Sequence, residues 1–128
     1  MMKEWYEGTE IEKKIPNFKS TDIKYITSLY YYIDYNSYFD QVSFLEIEFL
    51  LEVDTRKFSL RMKFNEVSSL ELSGFGNSYN QIMGFDIRNL SNRGFEKNFK
   101  YLVEDYENSI IKFYCTNFEI FLLLNELK

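Results

Sequence analysis

The sequence predicts a mainly β fold, α+β at its N-terminus: a curled antiparallel sheet, sandwich or half-barrel of about six strands with a short N-terminal helix. Two observations carry this expectation. Between Ser43 and Val53 the residues Leu45, Ile47, Phe49, Leu51 and Val53 alternate with Glu46, Glu48 and Glu52, and Phe58, Leu60, Met62 and Phe64 resume the alternation after Asp54-Thr55-Arg56-Lys57. Further apolar segments follow at short spacing with no helix of crossover length between them, which implies antiparallel pairing.

Size and charge narrow the function classes. At 128 residues the chain is read as one domain, 1–128, in which residues 1–20 form a polar N-terminal arm. Hydrophobic residues at 45% and charged residues at 27% match globular usage, which argues against disorder. The longest apolar run near the C-terminus, Ile120 to Leu124, is far short of a membrane span. Met1 to Glu12 has no apolar core of a secretory signal, and Cys115 is the only cysteine, so a cytoplasmic location is expected. A net charge of −5, with Lys and Arg scattered, argues against general affinity for nucleic acid or anionic membranes. It suits a basic protein partner, with solubility alone as the alternative.

The elements are expected in the following order. Trp5, Tyr6 and Ile11 dock the arm loosely, ahead of Pro16 and the polar segment Asn17 to Asp22. Ile23, Ile26, Leu29, Tyr30 and Ile33 recur at helical spacing behind an N-cap in Ser20-Thr21-Asp22, which favours a short helix over Ile23 to Tyr32. The β-branched and aromatic content of the same run leaves a strand as the alternative. Strands then fit Ser43 to Val53 and Phe58 to Asn65, a hairpin in which a glutamate row faces Arg61 and Lys63. Val67 to Phe75 makes the third strand and Gly74 to Ser78 a turn. Ile82 to Leu90 is the fourth, and Ser91 to Gly94 turns the chain again. Phe99 to Tyr106 and Ser109 to Thr116 form a last hairpin, while Phe118 to Leu124 either prolongs the sheet or makes a terminal helix.

Catalytic chemistry finds little material. The chain has no His, so Ser-His-Asp and Cys-His arrangements are excluded, and a zinc site of Cys and His lacks its ligands. Cys115 lies in an apolar strand, as a buried structural thiol does. Glu104 and Asp105 are adjacent on a strand and point to opposite faces, so they do not converge on a substrate; with Glu107 they read as a solvated turn. Gly74-Phe75-Gly76 lacks the GxGxxG and GK[ST] patterns of phosphate loops and reads as a turn. No catalytic residue, metal or cofactor is expected.

The most unusual stretch runs from Tyr30 to Asp40. Tyr30, Tyr31, Tyr32, Tyr35 and Tyr38 cannot all enter one core, so some line the surface beside Phe39, Asp34 and Asp40. Tyrosine joins a rigid apolar ring to a hydrogen-bonding tip and is enriched at protein interfaces. These eight residues are the candidate partner-binding set, against the alternative that they are half-buried packing.

Tyr38-Phe39-Asp40, the strands Val42 to Val53 and Phe58 to Phe64, Leu70-Glu71-Leu72-Ser73-Gly74-Phe75, and Asn80-Gln81-Ile82 together resemble small β-rich bacterial proteins of the polymorphic-toxin immunity type. The likeness covers about residues 38 to 120 and its motifs are short. It implies a cytoplasmic protein that binds and blocks a cognate toxin, with no catalytic residues to transfer. The alternatives are a small-ligand-binding β-barrel and a structural subunit.

Overall fold

The computed structural model describes residues 4–76, 80–90 and 100–125, without the side chains of Leu122 and Asn125. A short helix α1 (Glu10–Lys14) and a single 3-10 turn (Ser20–Asp22) precede β1 (Ile23–Tyr35), β2 (Gln41–Val53), β3 (Arg56–Asn65), β4 (Ser68–Leu72), β5 (Asn80–Gln81), β6 (Phe85–Asn89), β7 (Tyr101–Asp105), β8 (Ile111–Cys115) and β9 (Asn117–Asn125). The strands form two antiparallel sheets, ordered β5-β1-β2-β3-β9 and β4-β8-β7-β6, which are not closed into a barrel. The six expected strands are present, the first two extended to Gln41 and Arg56 and the other four shortened, and β1, β5 and β9 join them. The turns expected at Gly74 to Ser78 and Ser91 to Gly94 lie partly and wholly outside the described residues.

The helix favoured over Ile23 to Tyr32 is instead β1, and the reason is legible in its pairing. Ile23, Ile26 and Leu29 stand opposite Leu51, Phe49 and Ile47, all inward residues of β2, while register shifts fall between Ile23 and Tyr25 and between Ile26 and Ser28. Each shift inserts a residue, so same-face positions recur every third residue and imitate a helical period. Ser20-Thr21-Asp22 does make a turn, closed by the Asp22 carboxylate, which accepts the Lys19 N–H at 2.8 Å. The segment at Phe118 resolves as a strand along β3.

The β2–β3 hairpin matches the sequence closely. Glu46 stands opposite Lys63, Glu48 opposite Arg61 and Glu52 opposite Lys57, and an Arg61 guanidinium nitrogen lies 3.8 Å from the Glu48 carboxylate. The turn is only two residues: Asp54 and Thr55 take φ of 51° and 69°, both left-handed, as a turn following the strand twist demands.

One core joins the sheets. Phe49 of β2 meets Phe85 of β6 with ring centroids 4.9 Å apart, and Phe64 of β3 meets Phe113 of β8 at 5.0 Å. The arm is docked more firmly than expected. Ile11, Ile15 and Phe18 are buried, worth roughly 1.5–3 kcal/mol each if fully removed from water. Trp5 sets its ring edge-on to Phe18, Phe85 and Phe118, and its Nε1–H donates to Ser20 Oγ at 2.9 Å.

Asp105 corrects the solvated-turn expectation. Glu104 does face outward, bonded to Arg88 at 2.7 Å, but Asp105 is only 1% exposed. Its Oδ1 accepts N–H groups from Gly84 at 3.0 Å and Glu107 at 3.2 Å, tying the start of β6 to the β7–β8 turn.

Candidate functional site

The first half of β1 is core and the second half is not. From Tyr30 onward the strand is exposed on both faces except at Tyr32, and its partner β2 is exposed at Gln41. The β1–β2 ribbon therefore presents the tyrosine-rich stretch on three surfaces.

On the face that carries the glutamate row, Tyr30 stacks on Tyr32 at 4.7 Å between centroids, and Tyr32 stacks on Phe44 at 5.4 Å. The Lys63 ammonium sits 4.8 Å from the Phe44 ring centre. Tyr32 O–H donates to Glu46 Oε2 at 2.8 Å. Burial first, and then the hydrogen bond to Glu46 and its charge, push the Tyr32 phenol from 10 to about 12. Tyr32 is thus held in its neutral form, with Tyr30 as the exposed end of the stack.

On the opposite face Tyr31, Ile33 and Tyr35 follow one another at strand spacing, all exposed, with Ile33 at 61%. Tyr31 and Ile33 border an open groove of about 430 Å³ whose other wall includes Val67 and Glu66. The wall is tethered across the sheets: Val67 N–H donates to Ser43 C=O at 3.0 Å, and Ser43 O–H returns a bond to Val67 C=O.

The third surface is the tip. Asn36 organises it: its side-chain oxygen accepts the N–H groups of Tyr38 at 2.9 Å and Asp40 at 3.0 Å, and its C=O accepts that of Phe39. The resulting turn leaves Tyr38 82% and Phe39 84% exposed, and holds Phe39 at φ 64°. An aromatic residue in that conformation is strained by about 1 kcal/mol, a cost that no burial of its ring offsets. Asp34 and Asp40 are exposed beside these rings, and Asp34 Oδ1 accepts the Tyr35 N–H at 2.8 Å.

All eight candidate residues therefore lie on one ribbon, but they do not converge on one patch. Tyr30, Tyr32 and Asp34 share one face, Tyr31 and Tyr35 the other, and Tyr38, Phe39 and Asp40 the tip. Sequence reading missed Ile33, which the helical assignment had counted as an apolar anchor, and Phe44, which breaks the outward polar row of β2. A strand period through Tyr31, Ile33 and Tyr35 was the available signal for Ile33.

Elsewhere, Cys115 is fully buried, and burial raises its thiol from 9 to about 12. Among the described residues no group of three or more His, Cys, Asp or Glu side chains is placed to hold a metal ion, and no helix is long and apolar enough to cross a membrane. Compared with protein-family models, with curated proteins and with solved structures, the chain matches none.

Proposed function

We propose that this protein is a non-catalytic protein-binding module that acts in the cytoplasm as an immunity protein, neutralising a basic cognate toxin. The observation that carries this reading is the exposed aromatic tip, where Tyr38 and Phe39 are held out by an ordered turn and Phe39 accepts a strained backbone. Strain at an exposed aromatic has no packing benefit, so it points to a role outside the folded chain. Aromatic anchors of this kind dominate protein interfaces. The net charge of −5, with Asp34 and Asp40 beside the rings, favours rapid encounter with a basic surface. The resemblance of residues 38 to 120 to toxin-immunity proteins agrees with this role.

The test is co-expression with each protein encoded beside the gene that arrests growth when expressed alone, scored as growth. Wild-type chain restores growth, and a Tyr38→Ala/Phe39→Gly chain that folds normally does not. Growth arrest in the presence of abundant folded wild-type chain contradicts the proposal.

A further inference from the structure

Among the described residues β1 continues as a free edge where β5 leaves it: its pairing with β5 covers Tyr25 and Ile26, and Ser28 to Tyr35 pair with β2 alone. The ladder fixes which backbone groups this edge offers. Asn36 N–H donates to Asp40 C=O at 3.0 Å, and the register runs unbroken from there back to Ser28 opposite Glu48. Antiparallel ladders alternate, so the N–H and C=O groups of Leu29, Tyr31, Ile33 and Tyr35 point away from β2. Two bonds agree with this parity. Ser43, opposite Ile33, directs its C=O to Val67 on the far side of β2, and the outward Tyr35 N–H is taken by the Asp34 carboxylate.

Natural sheet edges are usually protected by lysine, proline, a bulge or shortness. From Ser28 to Tyr35 there is no lysine and no proline, the sole charge is Asp34, and the register shifts lie before this stretch. We infer that this edge receives an extended strand of a protein partner in which apolar side chains alternate with Lys or Arg. The inference rests on the protein-binding reading above and supplies its mode, β-strand addition.

The alternation follows from the two faces. Side chains of an added strand on the face of Tyr31, Ile33 and Tyr35 meet the exposed apolar surface of those residues and are apolar. Those on the other face lie beside the Tyr30–Tyr32 stack and Asp34, where a cation meets the open face of Tyr30 and a carboxylate. A second copy of this chain fits less well, because its own edge brings Asp34 and no cation to the stack.

The experiment titrates the full-length isotope-labelled chain with a disulfide-closed hairpin peptide whose open edge alternates Val and Lys, and with the same peptide carrying Glu for Lys. The Val-Lys hairpin is expected to shift and protect the amides of Leu29, Tyr31 and Ile33, and the Val-Glu hairpin is not. Ile33→Pro removes an outward N–H without touching the β2 ladder and is expected to weaken binding about tenfold, whereas Ile33→Thr keeps the N–H and most of the affinity. Equal binding of the two hairpins, undiminished binding by Ile33→Pro, or a chain that sediments as a dimer through this edge overturns the inference. Full toxin rescue by Ile33→Pro also overturns it while leaving the inhibitory role intact. Edge binding of the Val-Lys hairpin by a wild-type chain that rescues nothing supports the edge and refutes the inhibitory role.

Discussion

Two adjacent proline substitutions in β1 should differ sharply in cost. Tyr32 N–H belongs to the β1–β2 ladder by the same alternation that turns Ile33 N–H outward. Tyr32→Pro deletes that donor and leaves the Phe44 C=O without its partner inside a ring stack, at a cost of roughly 3 kcal/mol. Replacing the side chain also removes the bond to Glu46 and the contacts to Tyr30 and Phe44, about 1–2 kcal/mol more. Tyr32→Ala measures this second part alone. Ile33→Pro deletes no ladder bond and a side chain that is already mostly in water, so about 1 kcal/mol is expected from the restricted φ. Urea unfolding followed by the fluorescence of Trp5, the sole tryptophan, reports all three. Equal losses for Tyr32→Pro and Ile33→Pro would refute the ladder parity, and with it the free edge.

Three further outcomes follow from single sites. Thr55→Gly relieves a β-branched residue held at φ 69° in the two-residue turn and should raise the unfolding free energy by about 1 kcal/mol in urea titration. Asp105→Ala strands the Gly84 and Glu107 N–H groups and should cost about 3 kcal/mol in the same assay, while Asp105→Asn, which keeps an acceptor in place, loses less than half as much. Cys115, raised from 9 to about 12, binds its proton more tightly folded than unfolded, so its contribution is complete below pH 9 and is lost as pH rises towards 12. Cys115 should therefore lower the unfolding free energy by about 1 kcal/mol between pH 8 and pH 10, a component that Cys115→Ala removes while the smaller loss from Tyr32 remains.

The β2–β3 hairpin was legible in the sequence because its alternation and its charge pairing agree, so pattern and register carry the same information. β1 was not, because two register shifts spaced Ile23, Ile26 and Leu29 as a helix would. Propensity, in its run of tyrosine and isoleucine, pointed the right way and was outweighed by the period. Asp105 was misread for a related reason: its acidic neighbours suggest a solvated turn, and only the approach of Gly84, in the segment leading into β6, makes a buried acceptor useful there. The candidate surface was legible as a segment, since crowded tyrosines must reach the surface. Its division into stack, groove and tip depends on strand parity and on Asn36, which composition does not encode.

The exposed hairpin tip is proposed to serve a partner and not the fold, and Phe39→Gly separates the two. Glycine relieves the positive φ, so the unfolding free energy should stay level or rise by about 1 kcal/mol. Affinity for the toxin that the proposed role requires, measured by calorimetry, should fall about a hundredfold, as loss of an aromatic anchor does. A folded, equally stable Phe39→Gly chain that binds the toxin as tightly as wild type would contradict the claim.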